Sequence, residues 1–471
     1  MIEHRQIFVN GKWIDSSATE MIPVVNPATE ETIAEVSRGT SEDVDLAARA
    51  AAAAFGDWSR SSIAERTAVL RRMADLLEAR SDELTDMMVR EIGTPISTAC
   101  RSQTDVAVAD LRNFANVMQD VVWTERVDQS VIHREPVGVV GALCAWNGPL
   151  RSVVLKAGAA IAAGCTVVVK PAEVAPLSGY VFADVAAEAG LPDGVVNLVS
   201  GTGPEVGEAI VLHPAVDMAS LTGSVRAGSR VMELASRSVK RVALELGGKS
   251  ANLVCEDADL PAAIASGIDD AFRNAGQVCG GLTRLLVPRS RLAEAEDLAV
   301  AAAHSYVLGD PFDPATTLGP VVSAVQRDRV RTHIQHAIDD GLRMLTGGPE
   351  APDGLARGYY VQPTVFVGDN SSRLAQEEVF GPVVIIIPFE DEADAVAIAN
   401  DSQYGLAGGV WAADPERARA IARRIRTGRV RINGTAINMK APHGGFKLSG
   451  IGREMGRIGL EDYLEYQAVH G

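Results

Sequence analysis

Cysteine is scarce and scattered. The five residues, Cys100, Cys144, Cys165, Cys255 and Cys279, are odd in number and widely spaced, with no Cys-x-x-Cys pair. That pattern excludes a disulfide framework, argues against a structural zinc site, and fits a reducing compartment. Histidine offers no metal site either. The close pair His333 and His336 has no third ligand near it in sequence, so no metal is expected. Long apolar runs are missing. No stretch approaches the roughly 18 residues of a spanning helix, and Lys156 interrupts the most apolar region. The start, Met1 to Gln6, lacks the basic-then-apolar pattern of a secretory signal. A cytoplasmic protein without a membrane partner is expected. Positive charge is in deficit, with 44 Lys and Arg against 61 Asp and Glu and a net charge of -17. Such a chain repels phosphate backbones and anionic lipids, which excludes nucleic acid as an expected partner. A small anionic cofactor remains possible, because backbone amides bind one locally. No internal repeat is present, and the alanine run at 50–54 reads as helix.

What is present is an ordinary globular composition, 47% hydrophobic and 22% charged over 471 residues. At about 100–200 residues per domain this length predicts two or three domains. Residues 7–14 alternate around Asn10-Gly11 and predict a hairpin. Helices are expected from an N-cap at Ser41 through the alanines, over about 62–80, and over about 98–120. From 136 onward, β-branched runs (Val137–Leu143, Thr166–Val169, Val195–Val199, Val216–Leu221, Arg241–Leu244) alternate with helical segments near 150–163, 177–189, 204–212 and 226–237. After 250 the alternation resumes, with strands near 251–255, 283–287, 383–388 and 429–432 and helices near 261–274, 291–303, 323–340, 392–400 and 415–427. Strand–helix alternation predicts parallel sheets covered on both faces. The boundary is placed at Gly247-Gly248.

Several strand ends carry chemistry. Gly201-Thr202-Gly203 resembles a dinucleotide turn, but Val206 stands at the third glycine position, Gly207 comes one late, and no acidic residue follows at the usual distance. The loop therefore reads as either a cofactor turn or a structural one. Leu221-Thr222-Gly223-Ser224 is a second strand-to-helix turn, able to meet a pyrophosphate or simply to start a helix. Lys170-Pro171-Ala172-Glu173 closes a valine-rich strand, either as a ribose site or as a surface ion pair.

Cys279 differs from the other cysteines because it sits in a glycine-rich turn, Gly276-Gln277-Val278-Cys279-Gly280-Gly281, and not among apolar neighbours. Glu245 ends an apolar strand before two glycines, as a general base or a strand terminator. Asn147 ends another strand, as an oxyanion donor or a turn residue. No Ser/His/Asp order stands out.

Seven segments in order make the chain resemble the aldehyde dehydrogenase superfamily: Trp146-Asn147, Lys170-Pro171-Ala172-Glu173, Thr222-Gly223-Ser224, Glu245-Leu246-Gly247-Gly248-Lys249, Gly276-Gln277-Val278-Cys279, Glu378-Val379-Phe380-Gly381-Pro382 and Pro442 through Gly450. The resemblance runs from Asn26-Pro27-Ala28-Thr29 to the end. It implies an α/β fold with a dinucleotide-binding domain (1–246), a catalytic domain (247–432) and a segment (433–471) that returns to the first. A small β-arm from 120–138 and the C-terminal tail would join a homodimer or homotetramer.

The resemblance also implies roles. Cys279 attacks the aldehyde, the Asn147 amide and Cys279 N–H hold the oxyanion, Lys156 supports Asn147, and Glu245 activates the hydrolytic water. Lys170 and Glu173 hold the adenine ribose of NAD or NADP with Trp146 near it, and Gly223 and Ser224 face the pyrophosphate. Glu378 holds the nicotinamide ribose beside Phe380. Gly203, Gly207, Thr222 and Leu246 complete the expected cofactor set. Gly148, Arg151, Ser152, Leu155 and Val278 are the expected substrate residues. Ala145, Leu221 and Gly148 depart from the common pattern, the last leaving space beside Asn147. CoA-acylating oxidation and a non-enzymatic structural role are the alternatives. Glu245 disfavours the first, and the intact trio of Cys279, Glu245 and Asn147 disfavours the second.

Overall fold

In the computed structural model, which describes residues 2–471, two twisted sheets meet at Gly247-Gly248. The first has eight strands in the order Gly450–Ile451, Arg241–Glu245, Met218–Thr222, Val139–Leu143, Thr166–Lys170, Val196–Leu198, Gln6–Val9 and Lys12–Asp15. Its five central strands run parallel, and the edges are antiparallel. Thr166–Lys170 shows why. Every residue of Thr-Val-Val-Val-Lys is buried, as a strand covered by helices on both faces must be. The second sheet has seven strands: Arg343–Thr346, Thr364–Val367, Val383–Phe389, Arg284–Pro288, Ala251–Val254, Ala407–Trp411 and Arg429–Ile432. All its pairings are parallel except that of Arg343–Thr346.

The expected arm is a three-stranded antiparallel sheet of Thr124–Val127, Ser130–Pro136 and Leu464–His470. The segment after Ile432 returns to the first sheet, where Gly450 pairs with Glu245. Among the described residues no helix is long and apolar enough to cross a membrane.

The helices follow their caps, with corrections. Thr40, not Ser41, caps Ser41–Trp58, because Asp43 three residues on returns a bond to the Thr40 N–H. Ser62 and Glu65 make the same box for Ile63–Ala79. The helix expected at 98–120 runs from Ile96 to Asp120 with a π-turn at Cys100–Thr104. The helix Ser81–Ile92 was not expected, since Arg80 ends one helix and begins the next without Gly or Pro. Strands Met21–Val25, Thr32–Ser37, Arg343–Thr346, Thr364–Val367 and Ala407–Trp411 were also missed. The last carries Gly408-Gly409, a poor strand signal. A Cβ on Gly409 would collide with the Asn252 side chain, so close packing selects the glycine.

Candidate active site

After the helix Leu260–Phe272, three residues in succession are left-handed: Asn274 (φ 53), Ala275 (φ 54) and Gly276 (φ 73). Two of them are not glycine, so surrounding bonds must hold the turn. Thr94 Oγ1 donates to Asn274 Oδ1 (3.0 Å), Gln277 Nε2 to the Asn274 carbonyl (3.0 Å), and Val322 N–H to Gln277 Oε1 (2.9 Å). A Cβ on Gly276 would strike the Gly381 carbonyl. This braced turn presents Cys279, which is half-buried. Burial pushes its thiol up, Arg429 and Arg151 oppose that, and Glu378 and Glu245 add to it. Cys144, Cys165 and Cys255 are buried, and burial pushes them up to about 11, 12 and 11. Cys100 sits half-buried in the π-turn.

Asn147 is tied to that turn from the other sheet. Its Nδ2 donates to the Gln277 carbonyl (3.0 Å), and its own carbonyl accepts from Asn274 Nδ2 (3.1 Å) and Gln103 Nε2 (3.4 Å). One amide hydrogen is thereby committed, and the second makes no hydrogen bond to the described residues. Lys156 does not support Asn147 as expected. Fully buried, its Nζ donates to Glu454 Oε1 (2.7 Å) and Ser220 Oγ (3.2 Å). A buried ammonium needs a counterion, and Glu454 supplies it. No sequence pattern linked the two, which stand 298 positions apart.

Glu245 is 4% exposed, and both its carboxylate oxygens lack a hydrogen-bond partner among the described residues. Burial, then Glu454, pushes it well above the ordinary carboxylate range, with Lys156 and Arg453 opposing. His443 Nε2 lies 3.8 Å from Glu245 Oε2. Burial and neighbouring cations push that imidazole down to about 3, so it is neutral.

Most of the expected cofactor residues end or follow strands of the first sheet, whereas Glu378 and Phe380 precede Val383–Phe389 of the second. Lys170 Nζ reaches Glu173 Oε2 (3.1 Å) and the Pro171 carbonyl (3.0 Å). Nothing lies within 4 Å of where a Cβ on Gly203 would point, and Gly207 faces the Lys170 stem. Val206 occupies the third-glycine position because it packs under Gly39 and Gly201. Thr222 ends its strand, Gly223 N–H donates to the Glu245 carbonyl (3.0 Å), and Ser224 caps Val225–Ser236 through Ala227 N–H. Leu246 packs on Gly228.

Glu378 Oε1 accepts from Gly248 N–H (3.0 Å), and burial pushes this carboxyl up to about 7. A Cβ on Gly247 would collide with it. Trp146 and Phe380, expected beside different riboses, meet edge-on with centroids 5.3 Å apart and share one wall.

The substrate set changes most. A Cβ on Gly148 would meet only Gln103 Oε1 (3.6 Å) and Arg151 Cβ (3.9 Å), both in ordinary contact, so no neighbour excludes a side chain there at its first carbon. Arg151 is not a free cation: its Nε bonds the buried Asp110 Oδ2 (2.8 Å). Ser152 turns inward, where its Oγ accepts from Ala145 N–H (2.9 Å) and braces the loop before Trp146. Leu155 is buried in the core of the first domain. The helix starts at Pro149 and passes into a π-turn at Val154–Gly158, so the expected three-and-four spacing does not hold along it. Val278 remains half-buried next to Cys279. Sequence reasoning missed Gln277, Asn274, Glu454 and Arg429 as neighbours of the site.

Residues 13–469 match the family described as "Aldehyde dehydrogenase family". A 3-succinoylsemialdehyde-pyridine dehydrogenase of Pseudomonas sp. is 43% identical, covering 100% of this chain and 99% of that protein. Geranial dehydrogenase of Castellaniella defragrans is 42% identical, with coverage of 100% and 99%. A mutant aldehyde dehydrogenase C from Pseudomonas syringae, solved with NAD+ and octanal, superposes with a TM-score of 0.98 at 44% identity, covering 99% and 96% of the two chains. A Mycobacterium tuberculosis aldehyde dehydrogenase solved with NAD+ gives 0.97 at 42%, covering 100% and 98%.

Proposed function

The chain belongs to the aldehyde dehydrogenase family, and from that premise we propose that it oxidises an aldehyde to the carboxylic acid with NAD+, using Cys279 as nucleophile, Asn147 as oxyanion donor and Glu245 as the base for water. The observation that carries this reading is the bond from Asn147 to Gln277, which holds a free amide hydrogen beside the nucleophile's own turn.

The residues present suit a dinucleotide. Gly203 leaves open room at the start of a helical segment, Gly223 precedes the N-terminus of Val225–Ser236, and Lys170 with Glu173 offers a donor and an acceptor at a strand end. Glu378, fixed by Gly248 N–H, offers a second acceptor nearer Cys279. When bound, NAD+ supplies the hydride acceptor.

The protein's own part is as follows. Cys279 Sγ bonds the carbonyl carbon, and the electron pair moves to oxygen. The Asn147 amide and the Cys279 N–H stabilise that negative charge as preorganised donors. Loss of hydride from this carbon leaves a thioester on Cys279. Glu245 then takes a proton from water, the hydroxide adds to the thioester, and the acid departs as Cys279 recovers its thiolate. Across the cycle, aldehyde, NAD+ and water become acid, NADH and protons. A CoA thiol would need less help from a base, so the unbonded Glu245 carboxylate supports water as acceptor.

Cys279→Ser tests the reading. Aldehyde-dependent NADH formation should disappear while NAD+ binding persists, since a hydroxyl is a far weaker nucleophile than a thiolate near neutral pH. Wild-type turnover in this variant would refute it.

A further inference from the structure

Two cations act on Cys279, Arg151 and Arg429, and the first of them, like Arg431 and Lys156, is answered by a carboxylate. Arg151 pairs with Asp110 (2.8 Å), Arg431 with Asp270 (3.0 Å) and Lys156 with Glu454 (2.7 Å). Arg429 is different. Among the described residues no carboxylate forms a salt bridge with it, Asp270 acting on it only from farther off, and its hydrogen bond runs from Nη1 to His443 Nδ1 (3.2 Å). That imidazole is neutral, so it accepts a hydrogen and returns no charge.

The guanidinium occupies space that the nucleophile's turn leaves for it. A Cβ on Gly280 would collide with Arg429 Nη2. Arg429 also bounds a cavity of about 480 Å³ with Arg431, Asn433, Asn438, His443 and Met455. A half-buried guanidinium with donors in excess of its acceptors, next to the reacting sulfur, is a ready anion site, since its planar fork matches a carboxylate. Burial of a charge without a bonded counterion is costly, and the more distant Asp270 does not bond it.

We propose that Arg429, oriented by His443, binds a carboxylate at the far end of the substrate, so that the preferred aldehydes are oxo acids and not uncharged aldehydes of the same length. This rests on the dehydrogenase reading above. Arg429 takes no part in bond making. It accepts the anionic end while the aldehyde carbon lies at Cys279 Sγ.

Matched pairs test it: 4-oxobutanoate against pentanal, and 6-oxohexanoate against heptanal, each assayed for kcat/KM with NAD+. The wild type should favour the acid of each pair by about 10- to 100-fold, the range for a charge-assisted hydrogen bond. Arg429→Gln should collapse that ratio, chiefly through KM, and Arg429→Lys should keep part of it. A direct measurement accompanies the kinetics. Adipate should slow alkylation of Cys279 by iodoacetamide in the wild type and not in Arg429→Gln, which reads the site even if turnover is impaired.

Equal losses for acid and neutral aldehyde in Arg429→Gln would overturn the proposal and place Arg429 with the thiol instead. A wild-type preference for the neutral member would overturn it as well. If no aldehyde of either class reduced NAD+, the dehydrogenase reading would fail and take this one with it.

Discussion

Asn147 Nδ2 donates to the carbonyl of Gln277 across 3.0 Å, joining two residues 130 positions apart in the chain. Asn147 follows a strand of the first sheet, and Gln277 lies two residues before Cys279 in the turn beside the second. The bond fixes the amide rotamer before any substrate arrives, and such preorganisation makes an oxyanion donor effective.

Removing the donor should therefore cost turnover more than binding. Asn147→Ala is expected to lower kcat by about 100- to 1,000-fold, the usual effect of deleting one oxyanion donor. NAD+ affinity should change little. Steady-state kinetics with a cofactor titration check this, and a loss confined to KM would contradict the role.

Glu245 is pushed well up, first by burial and then by Glu454. A raised carboxyl is protonated below its shifted value and becomes a base only above it. Turnover limited by thioester hydrolysis should therefore rise with pH as this raised carboxyl ionises and fall as pH drops. In Glu245→Gln the first hydride transfer should survive as a burst, and the slow phase should lose that limb. Rapid-mixing traces across pH test both, and loss of the burst as well would move Glu245 to activation of the thiol.

NAD should be preferred over NADP. Burial alone would raise Glu173, but Lys170 and a backbone hydrogen bond together hold the carboxyl below its ordinary value, so it is charged at neutral pH. That charge suits a ribose 2′-hydroxyl and repels a 2′-phosphate. Glu173→Gln should narrow the ratio of kcat/KM between the cofactors. A wild-type ratio favouring NADP would refute the preference.

The arm predicts assembly. Leu464–His470 pairs with Ser130–Pro136 along one edge, and Tyr466, Val469 and Val127 stay 63%, 49% and 46% exposed on this small sheet. An exposed strand edge with apolar side chains is a ready pairing surface. Light scattering should give a dimer or tetramer at micromolar concentration, and truncation before Leu464 should yield monomer. A species of the 49.7 kDa chain mass alone would contradict this.

The parallel strands were legible because burial on both faces writes continuous runs such as Val167-Val168-Val169. Cys279, Glu245 and Asn147 stood out as candidates because each sits where a strand or helix breaks into glycine. What escaped was set by distance along the chain. Lys156 gives no sign that its counterion is Glu454, and Arg429 gives none that Gly280 makes room for it, because long-range pairs leave no local period. Strand Ala407–Trp411 escaped for the opposite reason: its glycines are chosen by the neighbour Asn252 and contradict the local propensity.

Gly148 sets the last expectation, a preference for aldehydes longer than acetaldehyde. A Cβ there would touch only Gln103 Oε1 and Arg151 Cβ, at 3.6 and 3.9 Å, which is the observation behind this expectation. The backbone at 148 has φ -151 and ψ 69, so its φ lies outside the left-handed region that favours glycine. Each methylene buried in that space contributes up to about 0.8 kcal/mol, close to fourfold in kcat/KM. A series of uncharged aldehydes, chosen so that Arg429 is not probed, should therefore gain efficiency from acetaldehyde upward until the space is full. Gly148→Phe fills it in advance, and long aldehydes should lose efficiency while acetaldehyde is spared. The stability of the variant is checked by thermal melting. A wild type that favours acetaldehyde would end the argument, and so would a Gly148→Phe variant with an unchanged chain-length profile.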